Sequence, residues 1–219
     1  MSAFFGSLTV GLVFLLTRTI LIISWGRNPN LEVIRLAASF IAAASLACGP
    51  LLWSQSVLAE VYTLNSALFA LIVLLGLRWW MQFREPPRSD AQRKNRTLFL
   101  AAILLGLGLG NHPTIVVLVI VGGPLLFTAR ILTFKDWARM VGLMVIGLSI
   151  YAYLPFAAAG TPPVNWGYPS SASGFWWTVS GAPYRGYFLG LPLEQIPSRI
   201  AEWSDLLYQH FNLLGVILG

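Results

Sequence analysis

Long apolar stretches alternate with short polar gaps along almost all of the 219 residues. A helix that crosses a membrane needs about 20 mostly apolar residues. By that measure the pattern predicts spanning helices over residues 4–25, 36–52, 57–80, 97–110, 114–132 and 138–159, with a seventh starting near Leu206 and reaching Gly219. The fold class expected is therefore an all-α membrane protein, a multi-spanning bundle of about six to seven helices. Its parts read as a transmembrane bundle over residues 1–159, a structured loop over 160–205 and a truncated transmembrane helix over 206–219. The fourth stretch has a short apolar core and is expected to run on through Asn111-His112. Gly106, Gly108 and Gly110 lack side chains and would let neighbouring helices approach closely.

Residues 160–205 differ in kind. Pro162, Pro163, Pro169, Pro183, Pro192 and Pro197 are interspersed with glycines and with Trp166, Tyr168, Trp176, Trp177, Tyr184, Tyr187 and Phe188. Proline and glycine preclude one long helix, and so many aromatics belong at a boundary between water and hydrocarbon. The reading is a loop on the membrane surface with short helices near 173–180 and 193–205. An aromatic belt at the interface explains the tryptophans as well as ligand binding does.

Charge gives the pattern a direction. Ten of the fourteen Lys and Arg fall in alternate gaps: Arg27 and Arg35; then Arg84, Arg88, Arg93, Lys94 and Arg96; then Arg130, Lys135 and Arg139. The positive-inside rule makes those gaps cytoplasmic. The opposite, non-cytoplasmic face then collects Trp53-Ser54-Gln55, Glu60, Asn111-His112-Pro113 and the aromatic loop, and it is the expected functional face. Hydrophobic residues are 57% of the chain and charged residues 10%, against about 25% charged in soluble domains. The location expected is thus an integral membrane, the plasma membrane in a bacterium. Loop placement accounts for the net charge of +6, so no nucleic-acid partner is implied. The single cysteine, Cys48, sits in an apolar stretch, which leaves no disulfide framework and no metal-ligand cluster. Alternation places Met1 outside without a signal peptide, so the chain reads as a fragment whose missing N-terminal segment would be its partner.

Few residues can carry chemistry. Glu60 is read as an acidic residue at membrane depth, sharing a helix face with Ser56 and Thr63, with Tyr62, Asn65 and Ser66 adjoining. An ionisable group in a span costs about 2.5–3.5 kcal/mol and marks either a functional site or a paired structural carboxylate. His112, between Asn111 and Pro113, is a candidate for proton or hydrogen-bond chemistry on the same face, or a turn residue. Arg185 beside Tyr184 would put a guanidinium at headgroup level, where it suits a lipid phosphate. Arg199 is read as a salt-bridge partner of Glu194, Glu202 or Asp205, and Arg18 as snorkelling to the cytoplasmic side. No nucleotide-binding or nucleophile-elbow motif is present.

Three segments together resemble a known family: the run from Leu52 through Glu60 to Asn65; Gly106 through Asn111-His112-Pro113-Thr114; and Pro162-Pro163-Val164-Asn165-Trp166-Gly167 with Phe175-Trp176-Trp177 and Tyr184-Arg185. Their order and spacing resemble the membrane family of domain of unknown function 2723, which includes the transmembrane protein 260 type of protein O-mannosyltransferase. The resemblance covers about Gly11 to Tyr187 and implies a GT-C-like glycosyltransferase. Such an enzyme takes a sugar, mannose in that type, from a polyprenyl-phosphate carrier on the non-cytoplasmic side and gives it to a protein or other acceptor. No cofactor is implied beyond that lipid-linked donor. On this reading Glu60 and His112 are catalytic, Arg185 and Tyr184 meet the carrier phosphate, Tyr62, Asn65, Asn111 and Asn165 bind sugar or acceptor, and Trp166, Trp176 and Trp177 stack on sugar or prenyl chain. Two departures stand out. The family's acidic first outer loop is expected upstream of Met1, and Tyr168 follows Asn-Trp-Gly where the family often has an acidic residue. From the residues alone, a transporter or flippase and a non-catalytic membrane subunit stay open.

Overall fold

A computed structural model describes residues 1–84, 95–128, 132–160, 162–187, 190 and 192–218. The basic positions Arg88, Arg93, Lys94 and Arg130 lie outside the described residues, as do Thr161 and Phe188. The described residues form helices and turns with no strand among them. They divide into two compact units, Met1–Ile150 and Tyr151–Gly219.

The first unit contains α1 (Ser2–Trp25), α2 (Glu32–Ala47), α3 (Pro50–Val57), α4 (Tyr62–Arg84), α5 (Arg96–Asn111), α6 (Val116–Thr128) and α7 (Phe134–Leu148). Five of these pack in a row, α2 on α1, α1 on α4, α4 on α5 and α5 on α7. Leu12 of α1 meets Ala67, Ala70 and Leu74 of α4, while Ile72 and Leu75 of α4 join Ala101 of α5 and Ile115. Small residues on α4 let α1 come close on one side while branched ones fill the other side. Where α5 meets α7 the contact is tighter still. A Cβ added to Gly106 would strike the Met144 carbonyl, and one added to Gly147 would strike the Ile103 carbonyl. Glycine on both partners lets backbone meet backbone.

Hydroxyls in these apolar helices bond inside their own helix, because hydrocarbon offers no other partner. Thr9 donates to the Phe5 carbonyl, Thr19 to Leu15, Ser39 to Arg35 and Ser66 to Tyr62. Large apolar side chains such as Phe4, Ile20, Phe40 and Phe127 are exposed, as lipid-facing residues are. Four helical stretches are long and apolar enough to cross a membrane: Ser2–Trp25, Pro29–Ala47, Tyr62–Phe83 and Phe134–Ala159. Two more apolar helices, Arg96–Asn111 and Pro113–Phe127, are shorter, and at 16 residues the first is about 24 Å long against a hydrocarbon core of roughly 30 Å.

The element boundaries correct the sequence reading in four places. The stretches expected at 36–52 and 57–80 are α2, α3 and α4, because Pro50 cannot continue a helix and holds Gly49 extended at φ −68° and ψ 128°. α5 does not run through the Asn-His turn: it ends at Asn111, and His112 is extended at φ −155° and ψ 135°. The helix expected from residue 138 starts at Phe134, where Thr133 and Asp136 form a reciprocal capping box, and it passes into a 3-10 turn at Ser149–Ala152. A single helix from Ile196 to Leu218 replaces the division placed at residue 205, and it is not among the four membrane-length apolar stretches.

Polar side chains gather at both ends of the first unit. At one end Glu32 bonds Arg18 at 2.6 Å and Arg35 at 2.9 Å. The buried Arg35 also donates to the carbonyls of Gly26 at 2.6 Å and Asn28 at 2.7 Å. There too Trp79 donates to Asn95, which donates to Asp136 at 3.1 Å. Arg18, expected to reach toward the cytoplasmic side, ends in an ion pair with Glu32 at the head of α2. The described residues of the stretches predicted to be basic, Arg27, Arg35, Arg84, Arg96, Lys135 and Arg139, lie at this end, and Glu60 and His112 lie at the other.

The second unit holds α8 (Tyr153–Ala159), α9 (Ala172–Val179), 3-10 turns at Ala182–Tyr187 and Leu193–Gln195, and α10 (Ile196–Leu218).

Candidate functional site

Glu60 lies in the break between α3 and α4, not on a helix. Leu58 is extended at ψ 143°, and the Glu60 amide folds back on the Leu58 carbonyl at 3.0 Å. The shared face with Ser56 and Thr63 does not form. The physical gain is direct: a carboxylate in a turn stays in water, where one on a helix flank would face hydrocarbon. Glu60 is exposed and has no ion-pair partner among the described residues, whereas at the opposite end Glu32 is ion-paired and Asp136 is hydrogen-bonded to Thr133 and Asn95.

The same break explains an orphan. Thr63 is 1% exposed, yet its Oγ1 has no partner, because the residue four back, Ala59, is in the turn and presents no helical carbonyl. The side-chain carbonyls of Gln55 and Asn65 are likewise buried without a partner. Gly6 of α1 makes room for Ser56, since a Cβ there would strike its hydroxyl.

The turn after α5 closes over the start of α4. Asn111 donates to the Val61 carbonyl at 3.3 Å, and Asn65 donates to Thr114 Oγ1 at 3.0 Å. His112 Nδ1 lies 2.9 Å from that Oγ1 and accepts from the Thr114 amide at 3.3 Å, which caps the 3-10 turn Pro113–Ile115. The Tyr62 ring is 5.6 Å from the imidazole, tilted by 56°. Tyr62, Asn65, Asn111 and His112 are thus brought together, with Glu60 in the turn that leads into α4. Sequence reasoning gave Thr114 no role and named Thr63 only as a neighbour of Glu60 on a helix face. The Asn-His-Pro-Thr order was a usable signal for Thr114, because a histidine before a proline turn can cap the amide two residues on.

In the second unit Asn165-Trp166-Gly167-Tyr168 forms a tight turn over α9. Gly167 and Tyr168 both have positive φ, 73° and 48°, the second rare for a residue with a side chain. Gly174 leaves space for the carbonyls of Gly167 and Tyr168, and a Cβ on Gly167 would meet the Trp177 ring. Trp166 and Trp177 lie 6.2 Å apart, and Trp176 packs edge-on to Phe175 at 5.7 Å. Trp166, Tyr168, Trp176, Trp177 and Tyr184 are all exposed. Arg185 lies in the 3-10 turn Ala182–Tyr187, its side chain outside the described atoms. Arg199 pairs with Glu202 at 2.9 Å, one of the partners expected for it.

Comparison with known proteins bears on residues 1–137, which match the family described as Protein O-mannosyl-transferase TMEM260 N-terminal domain. A curated relative, Protein O-mannosyl-transferase tmem260 of Dictyostelium discoideum, is 28% identical over 151 residues. Those residues are 62% of this chain and 18% of the relative, so the chain spans well under two thirds of that protein. No solved structure matches.

Proposed function

The chain belongs to the Protein O-mannosyl-transferase TMEM260 N-terminal family, and from that premise we propose that it is part of a membrane glycosyltransferase that moves mannose from a polyprenyl-phosphate carrier to a protein hydroxyl on the non-cytoplasmic face. The observation that carries the reading is the polar end of the first unit. There an unpaired carboxylate, Glu60, adjoins a cluster of Tyr62, Asn65, Asn111 and His112. Among the described residues the acidic groups at the opposite end, Glu32 and Asp136, are taken up by ion pairs and a helix cap, which leaves Glu60 as the carboxylate of this unit placed to meet a substrate.

The chemistry follows from what the donor requires. The acceptor hydroxyl oxygen attacks the anomeric carbon as the bond from that carbon to the phosphate oxygen breaks. The electron pair leaves with the lipid phosphate, and the hydroxyl proton passes to Glu60 acting as general base. Charge that develops on the phosphate calls for a cation or hydrogen-bond donor; within the second unit, Arg185 beside Tyr184 is the residue of the right chemistry that we propose for a lipid phosphate. Asn165 joins Trp166, Trp176 and Trp177 as an apolar and hydrogen-bonding surface for the sugar or the prenyl chain.

The test is a transfer assay in membranes expressing the complete gene, with radiolabelled polyprenyl-phosphate mannose. Label should reach a protein acceptor, and Glu60→Gln should lower the rate by about 10²–10⁴. Label that crosses the bilayer still attached to its carrier would favour a flippase instead.

A further inference from the structure

The turn after α5 holds a relay whose direction is fixed by the backbone. The Thr114 amide points at Nδ1 of His112 at 3.3 Å. An amide nitrogen only donates, so Nδ1 presents its lone pair and the neutral ring carries its proton on Nε2. Thr114 Oγ1 accepts from Asn65 Nδ2 at 3.0 Å, which leaves its own proton to point at the same Nδ1, 2.9 Å away. The hydrogen bonds thus run in one sense, Asn65 to Thr114 to His112. The opposite tautomer would set an Nδ1–H against the Thr114 N–H, two donors facing each other, and would lose the amide bond even with Thr114 Oγ1 accepting from Nδ1. Nε2 has no protein partner among the described residues.

We propose that Asn65 and Thr114 are positioning residues that hold His112 as a neutral imidazole whose Nε2–H donates a hydrogen bond to an oxygen of the bound lipid-phosphate sugar. His112 then acts as a fixed donor, not as the proton acceptor. This rests on the transfer reaction proposed above and divides its labour. The acceptor's proton goes to Glu60, no proton leaves His112, and the Nε2–H bond strengthens as negative charge grows on the departing oxygen. A base at Nε2 would need a bare nitrogen there, and the relay disfavours that.

The test has a spectroscopic arm and a kinetic arm. The chain has two histidines, so His210→Gln leaves a single imidazole to observe. Nitrogen NMR of the ¹⁵N-histidine-labelled chain in micelles, at a pH where the ring is neutral, should show a protonated Nε2 and a bare Nδ1. Thr114→Val keeps the amide N–H that fixes the tautomer and should keep the Nε2–H spectrum, whereas Thr114→Pro, which withdraws that N–H, should let the Nδ1–H form appear. A parent or Thr114→Val ring protonated on Nδ1 overturns the proposal. In the transfer assay His112→Asn keeps a side-chain cap on the Thr114 amide but withdraws the Nε2 donor, and should lose about 10²-fold. His112→Gln reaches further with an N–H and should recover most of that. If Gln is as inactive as Asn, or Asn as active as the parent, His112 is not the donor described. Glu60→Gln, measured alongside, reports separately on whether the transfer reading itself stands.

Discussion

Arg35 shows how one side chain can fix a turn between two membrane helices. It is 2% exposed, and its guanidinium spends its donors on the carbonyls of Gly26 and Asn28 and on Glu32. Removing it would leave those carbonyls unpaired and Glu32 with Arg18 as its one remaining ion-pair partner. Arg35→Ala is expected to cost about 3 kcal/mol, read as thermal unfolding in detergent. Arg18→Ala removes a partner that is 40% exposed and should cost under about 1 kcal/mol. The sequence marked Arg35 only as a loop cation for topology. Its partners could not be read there, because two of the three are backbone carbonyls that exist as a cluster only once the chain turns at Gly26, where φ is 73°. Glu60 was legible as the residue to watch, but its setting was not. Hydropathy does not register the helix break that moves it into water and strips Thr63 of its back-bonding carbonyl.

At the scale of elements, the contact of α5 with α7 rests on Gly106 and Gly147, each lying where the partner's backbone leaves no room for a Cβ. Gly147→Val should force these helices apart and cost about 1–3 kcal/mol as overpacking does, whereas Gly142→Val, at a position with open space, should be tolerated. Differential scanning of the two variants in the same detergent separates the cases. Gly106 was legible as a packing residue from its run of alternate glycines. Gly147 was not, because a lone glycine says nothing about which helix will meet it. Four of the expected stretches overlap helices of membrane length, since about twenty mostly apolar residues in a row have few alternatives to a membrane helix. Their ends were missed where a local feature overrides hydropathy: Pro50, the extended His112, and the Thr133–Asp136 capping box.

For the whole molecule, the segregation of ends within the first unit makes a claim about sidedness. With Cys48, the single cysteine, changed to serine, Trp53→Cys reports on the end that carries Glu60 and Arg27→Cys on the opposite one; both positions are exposed. An impermeant maleimide added to the non-cytoplasmic side of sealed vesicles should label Trp53→Cys at once, and Arg27→Cys only after permeabilisation. The reverse pattern would put the candidate site in the cytoplasm and remove a lumenal acceptor from consideration. The central claim, that the lipid-linked sugar is handled where α3, α4 and the turn after α5 converge, is tested most directly by a photoreactive polyprenyl-phosphate mannose analogue. Cross-linked to the protein in membranes and mapped by peptide mass spectrometry, it should label residues 54–66 and 111–116, with the natural donor in excess suppressing the adducts. Competable adducts confined to the Arg18–Glu32–Arg35 end would contradict the account.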